Sequence, residues 1–588
     1  MAKRHLAVPL LAGLVALAGC GGSDNEKSSG TSGGTPASGA PANAKQGGTL
    51  TILASGDVDY IDPGEDYYQF GYMVEYSVNR TLYSFGADDQ DARPDLATAQ
   101  PEVSSDGKTI TVHIRKGIKY APPVNREVTS KDIKYAIERG FSGHVPSAYA
   151  QLYFGSIVGA PKKPDPKGVP EISGITTPDD QTLVFKLSAA RSGAVIGAMA
   201  LPLTVPVPEE YAKKFDAKNP STYDQHVAFV GPYMVKNDAS GKLTGRKPGK
   251  SITLVRNPNW DKGSDYRPAY LDRIEILEGN NDPLVSTRRI LTGSHLVSGD
   301  FTVPANLLKR AVTQYKGQTS ITQTAAWRAV SLNTKMKPFD DINVRKAVFA
   351  VFDRQAMILS RGGTAQGTPA WSFIPPDFPG FDESGGATPP KDFDFAQKIT
   401  GDLALAQEYM KKAGFPSGKY TGSARPLEVG VAGTGTGTRA AEITQAMLGK
   451  LGIKVKLRFV TPDAYITKFC GVPGKVAVCP SSAWGQDFKD AQTELQPTFD
   501  GRAIAPANNA NYSELDDPQV NAAIDKALAL PPGDERNQAW ADVNKLVVGT
   551  AAAIPYQWDK TVNVESKDVA GVLNVNNTSY DLNFTSLK

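Results

Sequence analysis

Three cysteines, five histidines and one glycine–threonine run carry most of the chemistry the chain could perform. Cys470 and Cys479 enclose Gly471, Pro473 and Gly474, residues that let a chain turn back on itself. Such a thiol pair either closes a short clasp or stays as two buried thiols, and with no histidine nearby it makes no zinc site. His5, His113, His144, His226 and His295 are scattered without metal-ligand spacing. No G-x-S-x-G elbow is present, and Ser105-Asp106-Gly107-Lys108 has S-x-x-K spacing only in a turn ahead of a strand. Gly433-Thr434-Gly435-Thr436-Gly437-Thr438 is as glycine-rich as a phosphate cradle, but lacks G-x-G-x-x-G spacing and a Walker lysine. It reads as a strand-to-helix turn. None of these residues forms a catalytic or metal-binding constellation, and no enzyme activity, metal or cofactor is expected.

Cys20 has a different setting. Lys3, Arg4 and His5 precede an apolar run from Leu6 to Ala18, broken only at Pro9, and Leu17-Ala18-Gly19-Cys20 closes it. The run is shorter than the ~20 residues that span a bilayer, and its order is that of a secretory leader. Its ending resembles the lipobox of bacterial lipoproteins. That resemblance implies a signal peptide over residues 1–19 and acylation of Cys20, which becomes the first mature residue; two or three acyl chains anchor a protein stably. Residues 20–46 are Gly, Ser, Thr, Pro and Ala with few charges, too poor in apolar groups to fold. As a flexible tether they span ~30 Å, from ~5 to 6 Å times the square root of the residue number. Export also favours the Cys470–Cys479 disulfide over free thiols.

The elements that must position any site follow from patterning. The ~540 residues after the tether suffice for two to four domains at ~100–200 residues each. Hydrophobic residues make up 40% and charged residues 21%, and the formal net charge is +3, a balance that gives no case for nucleic acid. Gly47 to Leu53 and Thr109 to Arg115 alternate as half-buried strands. Between them lie Tyr60, Tyr67, Tyr68, Phe70, Tyr72 and Tyr76, which line a cleft or pack a core, and Val74, Ser77, Val78, Thr81 and Leu82 at helical spacing. Thr129 or Ser130 caps a helix running towards Phe141, and Asp340 or Asp341 caps another whose stripe is Val344, Ala347, Val348, Val351 and Phe352. After Asp402 the rhythm is helix to Gly414, strand Leu427–Val431, helix to Gly452, strand Ile453–Phe459. Strands alternating with helices imply a parallel or mixed sheet covered by helices.

Several segments in order resemble the extracellular solute-binding proteins of ABC importers, family 5, in the oligopeptide and dipeptide branch. They are Val230-Gly231-Pro232-Tyr233, Leu254 to Trp260, Tyr270 to Ile274, Lys337 to Ala347 with Asp353-Arg354, and Ala553 to Trp558. Ala483-Trp484-Gly485-Gln486-Asp487-Phe488 resembles the family's W-x-x-D-[YF] segment, although Asp490 is followed by Ala491 where the family often has proline. The resemblance implies an α/β, class II periplasmic-binding-protein-like fold: two lobes joined by a hinge, an extra subdomain, and mixed sheets flanked by helices. It places lobe I at 47–92, 222–325 and 552–588, the subdomain at 93–221 and lobe II at 326–551. It implies that Asp487 holds a peptide's α-ammonium and Gly485 offers backbone. Trp484 and Phe488 wall the pocket around Gln486, and Tyr149 contacts ligand backbone. The implied protein is a monomer on the outer face of the cytoplasmic membrane, held there by lipid alone. It captures oligopeptides by hinge closure and hands them to ABC permease subunits. The same scaffold binding an oligosaccharide, a metal chelate or an opine-like molecule, or sensing peptides without transport, are the alternatives.

Overall fold

The computed structural model describes residues 41 and 43–588, apart from 59, 67, 87, 88, 90, 424, 434, 461–463, 507, 508, 574–577 and 579. The leader, Cys20, most of the tether, Tyr67 and Thr434 lie outside the described residues. Among those described, no helix is long and apolar enough to cross a membrane.

The chain opens with β1 (Thr49–Leu53), whose Leu50, Ile52 and Leu53 are fully buried, as its alternation requires. Helix α1 (Gln69–Val78) follows. It starts earlier than the spacing of Val74 to Leu82 suggests and stops at Val78, because Asn79 is extended and its side-chain amide donates to Glu75. Thr81 and Leu82 therefore lie beyond the helix.

A separate four-stranded antiparallel sheet comes next, from β2 (Glu102–Val103), β3 (Thr109–His113), β4 (Ile175–Asp179) and β5 (Thr182–Lys186), in the order β2-β3-β5-β4. Helix α2 (Ser130–Arg139) packs on it; Thr129 is its N-cap, and the Asp132 carboxylate accepts the Thr129 N–H at 2.8 Å. Helix α3 (Ser192–Ala198) completes this unit's interior, with Val195 and Ala198 buried.

The chain then rejoins β1. Strands β6 (Tyr233–Val235), β7 (Ser251–Arg256), β8 (Arg273–Leu277) and β9 (Leu296–Ser298) give the order β9-β1-β8-β7-β6, parallel across β9-β1-β8 and antiparallel beyond.

Strand β10 (Thr319–Leu332) leaves this lobe for a second six-stranded sheet. Helix α4 (Ile342–Val351), capped by Asp341, carries the expected buried stripe. Strands β11 (Gly367–Pro369), β12 (Leu427–Ala432), β13 (Val455–Val460), β14 (Val478–Gly485) and β15 (Ala553–Val564) complete the order β11-β15-β10-β14-β12-β13. Helix α5 (Gly435–Lys450) joins β12 to β13, so the glycine–threonine run is partly the first turn of a helix rather than wholly a turn.

β10 and β15 pair antiparallel from Thr319↔Val564 to Ser331↔Ala553, with register shifts between Gln323 and Trp327 and between Arg328 and Ala329. Val562 and Val564 at one end pack with Leu53 and Ile290 of the first lobe. The other end belongs to the second lobe's core, with Trp327, Val330 and Ile554. These two strands are the path between lobes, and their bulges are where paired strands bend most easily. The sequence pattern shows only the first half of β15, because Asp559, Lys560 and Thr561 interrupt the apolar run.

Candidate functional site

Strand β14 ends at Gly485, and the chain turns through Gln486 to Asp490 into helix α6 (Gln492–Phe499). That turn is fixed locally. The Trp484 Nε1 donates to the Thr493 carbonyl at 2.8 Å, the Thr493 hydroxyl donates to the Phe488 carbonyl at 3.1 Å, and the Gln486 N–H donates to the Ala325 carbonyl at 2.8 Å. Asp487 and Phe488 are thereby pushed out of the second lobe towards the first.

Both land in the subdomain. Phe488 is 4% exposed and belongs to the cluster containing Tyr149, Tyr153, Phe154, Val195 and Ala198. Its ring meets Tyr153 edge-on at 5.1 Å between centroids. Burying such a ring is worth ~1.5–3 kcal/mol. Asp487 is also 4% exposed; it accepts from the Tyr149 hydroxyl at 3.1 Å and from the Tyr153 hydroxyl, and Tyr72 of α1 donates to Tyr149. Tyr149 and Tyr153 stack at 5.8 Å. An Arg191–Asp525 ion pair at 3.1 Å spans the same junction.

Of the residues singled out in the sequence, Asp487, Phe488 and Tyr149 meet in one buried network. Gly485 lies beside it, where a Cβ would come 3.2 Å from Gln69 Nε2 at the start of α1. Trp484 sits across from Trp327 on β10 and faces the second lobe's core. Cys470 and Cys479 are joined by a disulfide. Tyr72, read in the sequence as one of an aromatic cluster that lines a cleft or packs a core, joins this network; Tyr153 escaped the sequence reading, and its one signal is that it follows Tyr149 by one helical turn.

The open edge beside Asp487 is a second feature. β14 pairs with β10 from Val478 to Gly485, but with β12 at Val478 alone. From Cys479 to Gly485 its other edge has no strand partner among the described residues; the Ser481 N–H there donates to the Tyr465 hydroxyl at 3.0 Å.

Burial pushes the Asp487 carboxyl up to about 7, against which the hydrogen bonds from Tyr153 and Tyr149 act. A free aspartate titrates near ~3.9, so this form of the protein holds a proton between those values that the unfolded chain has released. The contribution is greatest at low pH and is lost as pH rises through 7.

Among the described residues no group of three or more His, Cys, Asp or Glu could hold a metal. The geometry instead offers a desolvated carboxylate, flanked by aromatic rings, beside an unpaired strand edge between two lobes.

The profile of the bacterial extracellular solute-binding proteins, family 5 (middle region), matches residues 91–505. The oligopeptide-binding protein OppA of Bacillus subtilis is 27% identical over 407 residues, covering 68% of each chain. The dipeptide-binding protein DppE of the same species is 25% identical over 504 residues, covering 82% of each. Among solved structures, clavulanic acid biosynthesis oligopeptide binding protein 2 superposes with a TM-score of 0.78 at 26% identity, over 94% of this chain and 99% of that one. The Escherichia coli murein tripeptide binding protein MppA, at 19% identity, shares the fold with a TM-score of 0.76, over 92% of this chain and 98% of that one.

Proposed function

From the premise that this chain belongs to the family 5 bacterial extracellular solute-binding proteins, we propose that it captures oligopeptides between its lobes and delivers them to an ABC permease. Members of this family are binding proteins, and the chain is not an enzyme. The observation that carries the peptide reading is the unpaired edge of β14 running up to Asp487. An extended peptide adds to such an edge through its backbone without its side chains being read, and a desolvated carboxylate at the end of the edge receives its α-ammonium. Relatives named for oligopeptide and dipeptide binding support the same ligand class. In this reading Asp487 holds the ammonium and Gly485 lends backbone, while Tyr149 and Phe488 close the site as the lobes swing about β10 and β15. Trp484 and Gln486 support the turn. The lobe boundaries at residues 93, 222, 326 and 552 belong to the same proposal.

Native mass spectrometry of protein lacking residues 1–20 tests it. A ladder of co-purified peptide masses is the expected result, and a single non-peptide mass overturns the peptide reading. We further assign Cys20 as a lipid-bearing anchor on the outer face of the membrane. Cys20→Ala is expected to move the protein from the membrane fraction to the medium, and retention in the membrane would rule the anchor out.

A further inference from the structure

The free edge of β14 is short. The Gln486 N–H turns towards β10, where it donates to the Ala325 carbonyl at 2.8 Å. Strand alternation then turns the backbone groups of Gly485 and Ala483 the other way, to the open edge, where they have no partner among the described residues. The next outward N–H belongs to Ser481, and it already donates to the Tyr465 hydroxyl at 3.0 Å. Just beyond, β14 shifts register against β10 between Ser482 and Cys479, and Pro480 has no N–H to offer.

Tyr465 is held in place from several sides. Strands β12 and β14 pair at Val429↔Val478 and then part, and the Tyr465 ring lies in the gap: a Cβ on Gly430 of β12 would come 3.7 Å from its Cδ2. The ring is buried in one cluster with Ala432, Cys470, Val476 and Cys479, and Tyr512 meets it edge-on at 6.5 Å. The helical turn Tyr465–Cys470 is tied to β14 by the Cys470–Cys479 disulfide, and the Ser482 side chain bonds the Tyr465 hydroxyl as well. A ligand strand that continued past Ala483 would have to displace this phenol from the Ser481 N–H.

Resting on the peptide reading above, we propose that Tyr465 ends the binding edge and so sets the upper length of the ligand at about three or four residues. Asp487 follows the C-terminal end of β14, so a peptide whose ammonium it holds runs antiparallel to that strand, one residue opposite each of its own. A first residue opposite Gly485 puts the third opposite Ala483, and a first residue opposite Gln486 puts the fourth there. Two residues further on, ~7 Å at ~3.4 Å per residue, the ligand's backbone meets the Tyr465 hydroxyl in the place its own carbonyl would take.

The test is calorimetric titration with peptides of alternating alanine and serine, two to eight residues long, with free amino ends. On wild type, affinity is expected to peak at three or four residues and to fall by roughly tenfold or more at six and eight, since these must displace the phenol or leave the edge. Tyr465→Ala is expected to bring the eight-residue peptide to within about threefold of the four-residue one. Hydrogen exchange on wild type gives a second readout that needs no variant: the bound tetrapeptide should slow the Ala483 and Gly485 amides and leave Ser481 as it was. Equal affinities from four to eight residues overturn this inference and leave the peptide reading standing. So does a length limit that survives in folded Tyr465→Ala, or a Ser481 amide slowed together with the other two. No binding at any length overturns the peptide reading, and this inference falls with it.

Discussion

Asp487→Ala is expected to weaken binding of unmodified peptides by roughly 10²–10³-fold, the ~3–4 kcal/mol typical of truncating one member of a buried, hydrogen-bonded charge pair. Asp487 is buried among phenols, with no protein cation among the groups that act on it, so a ligand ammonium is its natural counter-ion. N-acetylated peptides, which lack that ammonium, are expected to bind wild type weakly and to lose little more in the variant. The measurement is a four-way comparison of free and acetylated peptide on wild type and Asp487→Ala. A coupling near zero, with both peptides falling equally, would mean that the substitution acts through the fold. That control matters because the variant also removes the acceptor of two buried hydroxyls, which costs ~1–3 kcal/mol each if they stay unpaired. Asp487→Asn keeps one acceptor oxygen and the volume. It should therefore reproduce the affinity loss with less change in thermal midpoint.

The elements around this site were legible wherever a local rule operates. Asp341 and Thr129, each one of two candidate caps in the sequence, do cap their helices, and Thr109 to His113 buries its alternate side chains as its pattern demands. Asp487 stood out because its neighbours resemble a family segment. What surrounds Asp487 was not legible, since Tyr149 and Tyr153 lie 338 and 334 residues away in the chain and no local pattern joins them. Strand β10 also escaped. Its first half, Thr319 to Thr324, is polar and lies across the interlobe path, so it never alternates as a half-buried strand does. Phe488 was read as a pocket wall but is seated in the subdomain's core, a placement that depends on the lobes having met.

Gly197→Leu is expected to separate folding from closure. Gly197 sits in α3 with ordinary helical backbone, yet a Cβ there would lie 2.4 Å from Phe488 Cδ2 and 2.5 Å from Cε2. A side chain at this position costs the helix nothing; leucine is a better helix former than glycine by ~0.8 kcal/mol. The clash exists only when Phe488 of the second lobe reaches the subdomain. The variant should therefore fold with an undiminished thermal midpoint in ligand-free protein, while peptide affinity falls by about 10²-fold or more, because ligand capture and closure share one equilibrium. Small-angle scattering should show wild type contracting on peptide addition and Gly197→Leu failing to contract. Adding Phe488→Ala opens the space again and should recover part of both the contraction and the affinity, a non-additivity expected only of residues in contact. If Gly197→Leu binds and contracts as wild type does, the seating of Phe488 is not part of closure, and Asp487 must reach its ligand in a more open arrangement of the lobes.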